Sequence, residues 1–122
     1  MSEPIGERIA QQLMLWGLLW LGAGWLGLWY NPQPFWRGFW FMGGAWGLVN
    51  AALAYAGWLG EEPDPAHLRR LLWLNAGLDI LYLLAGLFLL RQKNPLFRGF
   101  GLAVLFQGLF LLGFDLWHAL QI

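Results

Sequence analysis

Long apolar runs alternate along this chain with short segments that carry proline and most of the charged residues. Four such runs are predicted to be helices, at residues 9–30, 35–59, 66–90 and 96–120. A helix rises about 1.5 Å per residue, so each run is long enough to cross a hydrocarbon layer about 30 Å thick. The pattern predicts an all-α, polytopic membrane protein, folded as a four-helix transmembrane bundle.

The two halves of the chain match when one is shifted by 61 residues. Pro34–Phe39 reads PFWRGF and Pro95–Phe100 reads PLFRGF, and each segment opens a predicted helix. Because proline, arginine and glycine recur at the same places, we predict two tandem helical hairpins, with repeat halves 1–61 and 62–122. Hairpins that each cross twice share one orientation, which makes this a parallel repeat. The alternative is that helix starts preceded by proline simply look alike.

Composition agrees with a membrane location. Of the 122 residues, 59% are hydrophobic and 11% are charged, whereas a soluble domain carries about 25% charged residues. The formal net charge is zero, so no nucleic-acid partner is expected, and the lipid bilayer is the expected surrounding. The chain has no cysteine, which excludes disulfides and thiolate chemistry.

Orientation is weakly encoded. Three arginines lie on the side of the termini, and four basic residues lie on the side of the loops at residues 31–34 and 91–95. This small excess predicts that both loops are cytoplasmic.

We expect a protein of the bacterial cytoplasmic membrane that forms a homodimer or joins a larger complex. Insertion in both orientations, giving an antiparallel dimer, is the alternative.

Asp79 is the most informative residue, because it is the only charge in the twenty residues Leu71–Leu90. A charged side chain at the centre of a bilayer costs about 2.5–3.5 kcal/mol on insertion scales. Asp79 therefore needs a polar partner, a water-filled cavity or a bound proton.

Other polar residues share helix faces with Asp79 or lie at its depth. Asn75, Asp79 and Tyr82 follow i, i+4, i+7 spacing and form one stripe. In the last helix Gln107 and His118 share a face, and Asp115 lies close to it. Counting along the helices places Asp79 about 16 Å and Asn50 about 14 Å below the surface on the side of the termini.

Helices in lipid turn such polar stripes inward. The sequence thus predicts a bundle with a polar interior that opens towards the side of the termini. Asp79 would then bind a proton or a small cation, Asn50 and Asn75 would orient it, and Asp115 with His118 would form the access route. The alternative is a polar clasp between helices, since interhelical hydrogen bonds contribute about 0.6–2 kcal/mol.

Metal and catalytic chemistry have weak support. Asp115 and His118 have the i, i+3 spacing of two metal ligands, but a zinc site needs three or four. No Ser-His-Asp or HExxH arrangement occurs, so we predict no metal, no catalytic residue, no cofactor and no enzymatic activity. The ten tryptophans are interpreted as interface anchors and space-filling side chains.

Two functions are left open by these patterns. The first is a small four-span integral membrane protein that transports or binds a proton, a cation or a small polar ligand at its buried polar cluster. The second is a non-catalytic membrane scaffold or accessory subunit, whose polar residues only fix helix packing.

Overall fold

A computed structural model describes residues 5–60 and 63–121, almost all of them in four helices. These are α1 (Ile5–Tyr30), α2 (Pro34–Leu59), α3 (Pro65–Leu90) and α4 (Pro95–Gln121). The all-α prediction is confirmed, and α1 begins earlier than the predicted residue 9. Residues 61 and 62, where the two predicted repeat halves meet, lie outside the described residues.

Side chains close the turn between α1 and α2. The guanidinium of Arg37 donates to the carbonyl oxygens of Leu28 at 2.7 Å and Asn31 at 3.2 Å. The amide of Asn31 donates to the Gly27 carbonyl oxygen at 3.0 Å. The last carbonyl groups of a helix lack partners within it, so these bonds satisfy the end of α1 and hold the hairpin shut.

The helices pack in a definite order. α1 packs against α2, α3 packs against α4, and the two hairpins meet where α2 packs against α4. Each hairpin reverses the chain once, so α2 and α4 run in the same direction. Within the described ranges, α2 and α3 do not pack along their lengths, which leaves a gap between them.

Glycines bring α1 and α2 into backbone contact. A Cβ atom added to Gly17 would lie 2.6 Å from the Gly47 carbonyl oxygen, and one added to Gly24 would lie 2.7 Å from the Gly44 Cα. Atoms this close leave no space for a side chain. Small residues therefore set the helix separation here, as they do between helices in membranes.

The contact between α2 and α4 is reciprocal. A Cβ atom on Gly38 would meet the Leu96 carbonyl group, and one on Gly99 would meet the Phe35 carbonyl group and lie 2.8 Å from the Phe39 nitrogen. Gly38 and Gly99 are 61 positions apart, and so are Phe35 and Leu96. Each helix therefore presents its glycine to the equivalent backbone of the other.

Three of the four helices, α1, α3 and α4, are long and apolar enough to cross a membrane. α2 has similar length but carries four tryptophans, five glycines and Asn50 in its 26 residues. Large apolar side chains cover the outside of the bundle, and Trp29 and Leu120 are examples that are about three-quarters exposed. This surface is consistent with a membrane protein.

Candidate functional site

Two acidic side chains meet inside the bundle. Asp79 of α3 is 2% exposed and Asp115 of α4 is 6% exposed. Their carboxyl groups line the same cavity and lie close enough to influence each other. A hydrogen bond between two carboxyl groups needs a proton, since a carboxylate only accepts. The pair therefore shares at least one proton when it is bonded.

Glycine packing places the two carboxyl groups together. A Cβ atom on Gly101 of α4 would lie 2.6 Å from the Gly86 carbonyl oxygen of α3, and one on Gly108 would lie 3.6 Å from the Asp79 carbonyl oxygen. Gly101, Gly108 and Asp115 are spaced seven apart on α4, as Asp79 and Gly86 are on α3. Residues at this spacing lie on one face of a helix. The face that holds the helices close thus also carries the acids.

A cavity of about 230 Å³ adjoins the pair. Its inner end is formed by Asp79, Asp115 and Asn50, and Asn50 is 3% exposed. Trp46 and Tyr82 form one wall, with their ring centroids 5.0 Å apart. The rest of the lining is apolar: Ile9, Leu13, Leu53, Leu68, Leu71, Leu72, Leu78, Leu111 and Phe114, with Asn75 beside them.

Polar atoms at the inner end are left without partners. In the part of the chain that the structure describes, Asp79 Oδ2 and Asn50 Nδ2 are buried and make no hydrogen bond. A buried polar atom that is left unsatisfied costs about 1–3 kcal/mol. These two atoms provide one acceptor and one donor beside the same cavity.

The structure brings together several of the residues that the sequence singled out. Asp79, Asp115 and Asn50 are buried in the lining of one cavity, and Tyr82 is half-buried on its wall. Asn75 lines the same cavity, but it is exposed rather than turned inward. It therefore lies at the mouth of the cavity.

Asp115 was predicted to lie with His118 on an access route, whereas the structure places it in the same cavity lining as Asp79. Counting along straight helices puts Asp115 about one turn closer to the termini than Asp79. Side chains tilt towards the N-terminus of their own helix. Because α3 and α4 run in opposite directions, this tilt moves the Asp79 carboxyl group towards the termini and the Asp115 carboxyl group away from them, so they converge.

Gln107 and His118 have a different environment, because both bind side chains of α1. Trp16 Nε1 donates to Gln107 Oε1 at 2.8 Å, and His118 Nε2 donates to Gln12 Oε1 at 2.9 Å. The Trp16 ring also stacks on Phe110 of α4, with centroids 3.6 Å apart. These contacts fasten α1 to α4. The contact with His118 had a signal in the sequence, because Gln12 is a polar residue inside an apolar run.

An apolar cluster lies on the side of the pair that faces the termini. Leu68, Leu72 and Ala119 are buried there, and Ile5 and Ile9 pack against them. Ile9, Leu68 and Leu72 also line the cavity, and its exposed lining residues lie on α2 and α3. The opening of a polar interior towards the termini stays a prediction.

The described histidine and acidic side chains do not gather into a set of metal ligands. Within residues 5–60 and 63–121, no group of three or more histidine, aspartate or glutamate side chains is placed to hold a metal ion. The Asp115 and His118 side chains have separate partners, since His118 binds Gln12 of α1.

Residues 12–116 match a family described as a family of unknown function (DUF6992). The chain belongs to this family. The DUF6992 match includes Asn50, Asp79 and Asp115, whereas His118 lies beyond it. No curated protein and no solved structure matches the chain.

The bond between Trp16 and Gln107 provides a test of how α1 is held. We expect Trp16→Phe and Gln107→Leu each to destabilise the bundle, and the double variant to lose less than the sum. The coupling free energy should be about 0.6–1.7 kcal/mol, the range for interhelical hydrogen bonds in membranes. The free energies of unfolding, measured in mixed micelles with increasing fractions of sodium dodecyl sulfate, give this coupling. Trp29→Phe is the control, because Trp29 is 74% exposed. Strictly additive losses would contradict the assignment.

Proposed function

We propose that this DUF6992 protein is a small four-span integral membrane protein that binds a proton at the Asp79–Asp115 pair and transports it, alone or with a small ligand. The observation that carries the proposal is the pair itself: two buried carboxyl groups on adjacent helices, beside a cavity. Ionisable residues inside a membrane are expensive, and they mark proton and ion paths.

The topology that we propose has all four helices crossing the bilayer as two parallel-repeat hairpins. The reciprocal contact of Gly38 and Gly99 supports it, because a twofold axis along the membrane normal would relate α2 to α4 in this way. We place the loops at residues 31–34 and 91–95 in the cytoplasm of a bacterial cell and expect a homodimer or a larger complex. The slight excess of basic residues beside these loops is the support for the orientation.

The position of the unpartnered atoms supports a binding site. Gln107 Nε2 and His118 Nδ1 are also buried without a partner in the described chain, but each of these side chains reaches α1 through its other polar atom. Asp79 Oδ2 and Asn50 Nδ2 belong to side chains that line the cavity, which Gln107 and His118 do not line. This difference supports separate roles for the two groups of residues.

A proton shared by Asp79 and Asp115 would link the charge of the pair to the affinity of the cavity for a ligand. With one proton held between them, Asp79 and Asp115 carry one negative charge in surroundings of low dielectric, where charges interact strongly. Gain or loss of a proton changes that charge by one unit. The affinity of the cavity for a charged or polar ligand then changes with it, which is the basis of coupled transport.

Proton movement into vesicles tests the proposal. We expect the wild-type protein in proteoliposomes to take up protons when a membrane potential is imposed, as measured by an internal pH-sensitive dye. Asp79→Asn and Asp115→Asn should reduce uptake to the rate of protein-free vesicles. Asp64→Asn is the matched control, since Asp64 is an exposed acid that precedes α3.

Circular dichroism and gel filtration establish that each variant is folded. Folded Asp79→Asn and Asp115→Asn variants with wild-type uptake would exclude the proton role. Absence of uptake by the wild-type protein would also exclude transport. The scaffold function, which the contacts from α1 to Gln107 and His118 favour, would then be the better account.

A further inference from the structure

The cavity beside the acid pair opens sideways. Three of its lining leucines, Leu53, Leu71 and Leu78, are 62%, 40% and 38% exposed. They lie on α2 and α3, the two helices that are separated by a gap. A ligand that reaches the inner end through this mouth comes from the apolar surface of the bundle.

The chemistry of the lining changes from the mouth inward. Leucines dominate the outer part, so they favour an apolar group. The inner end presents the two acids, one with a free acceptor oxygen, and the flat rings of Trp46 and Tyr82. Carboxylate oxygens bind ammonium groups by charge-assisted hydrogen bonds, and aromatic faces attract cations. An anion would be repelled by the pair.

Resting on the proposed function, we propose that this cavity binds a small lipophilic amine, which enters from the hydrocarbon layer through the gap between α2 and α3. The ammonium group lies against Asp79 and Asp115, and the apolar body lies among the leucines. Asn50 Nδ2 gives an additional donor for a ligand that carries an acceptor. At about 230 Å³ the cavity is smaller than the roughly 300–1,000 Å³ typical of drug-sized sites, so the ligand is small.

The first experiment compares two probes of similar size that differ in charge. Phenethylamine and 2-phenylethanol are titrated against the wild-type protein in lipid nanodiscs, and saturable binding is measured by calorimetry and by tryptophan fluorescence. We expect phenethylamine to bind at least about tenfold more tightly than the alcohol, because only the amine forms a charge-assisted bond. Asp79→Asn and Asp115→Asn should remove this preference, and Asp64→Asn should keep it.

The second experiment tests the route of entry. Leu53→Trp places a bulky side chain at the mouth and should weaken or slow phenethylamine binding about tenfold. Leu18→Trp is the control, because Leu18 is 52% exposed on α1 and does not line the cavity. Equal effects of the two substitutions on the amine would refute entry at this mouth.

The outcomes separate this inference from the proposed function. Equal affinity for the amine and the alcohol would overturn the amine site. An amine affinity that neither Asp79→Asn nor Asp115→Asn changes would overturn it too. Neither result would alter the proton uptake measured in vesicles. Loss of the proton role would appear instead in the vesicle assay without any amine. Amine binding that depends on both acids and on the open mouth would support the inference.

Discussion

Replacing Gly99 with alanine is expected to destabilise the bundle by about 1–3 kcal/mol, towards the upper end of that range. The added methyl group would coincide with the Phe35 carbonyl group and lie 2.8 Å from the Phe39 nitrogen. These are backbone atoms of α2, so they cannot move aside as the end of a flexible side chain would. The two hairpins must separate to accept the methyl group, and the loss extends along the contact between α2 and α4.

Gly77→Ala is the matched control for this prediction. A Cβ atom on Gly77 of α3 would meet nothing within 4 Å, so the substitution should leave stability within about 0.5 kcal/mol or raise it slightly. Gly38→Ala should behave like Gly99→Ala, because it meets the Leu96 carbonyl group in the reciprocal contact. Unfolding by sodium dodecyl sulfate, followed by tryptophan fluorescence, gives the three values. Equal stability of Gly99→Ala and Gly77→Ala would contradict the packing of α2 on α4.

Asp79→Leu and Asp115→Leu are each expected to cost about 1–3 kcal/mol, and the double variant is expected to cost less than the sum of these two losses. Each single change leaves the other carboxyl group buried without its partner. Removing both leaves two apolar side chains that can pack together, which is often neutral or stabilising. The free energies of unfolding of the four proteins form a double-mutant cycle, and the coupling should exceed about 1 kcal/mol.

Asparagine variants separate stability from proton binding in the same pair. Asp79→Asn keeps the shape of the side chain and its ability to hydrogen-bond Asp115, so it should stay within about 1 kcal/mol of the wild type. It removes the titrating group, so proton uptake should be lost. A strongly unstable Asp79→Asn, or a coupling near zero between the two leucine variants, would show that the carboxyl groups do not act as a pair.

Much of the fold could be predicted from local pattern. Proline at positions 34, 65 and 95 is the first residue of a helix in the structure, one residue before each predicted start. Asp79 was recognised from its sequence alone because it is a single charge in a long apolar run. These features depend on chain neighbours within a few turns, so they can be read without knowledge of the packing.

The arrangement of the site depends on contacts between distant parts of the chain. The inward stripe predicted for α3 holds for Asp79 but not for Asn75, which is exposed at the cavity mouth. Gln107 and His118 belong with Trp16 and Gln12 rather than with the acids. Helical periodicity gives the face of one helix, and it does not say which other helix that face meets.

The sequence by itself determined four helices, the starts of the last three to within one residue, and the presence of an acid in a long apolar run, because helix length and hydropathy are properties of continuous segments. Tertiary structure alone decided that Asp115 lies beside this acid and that the exposed lining residues of the cavity lie on α2 and α3. The reason is that glycine contacts set which helices touch and how closely. Those contacts join residues far apart in the chain, and the tilt of opposed side chains then brings the two carboxyl groups together.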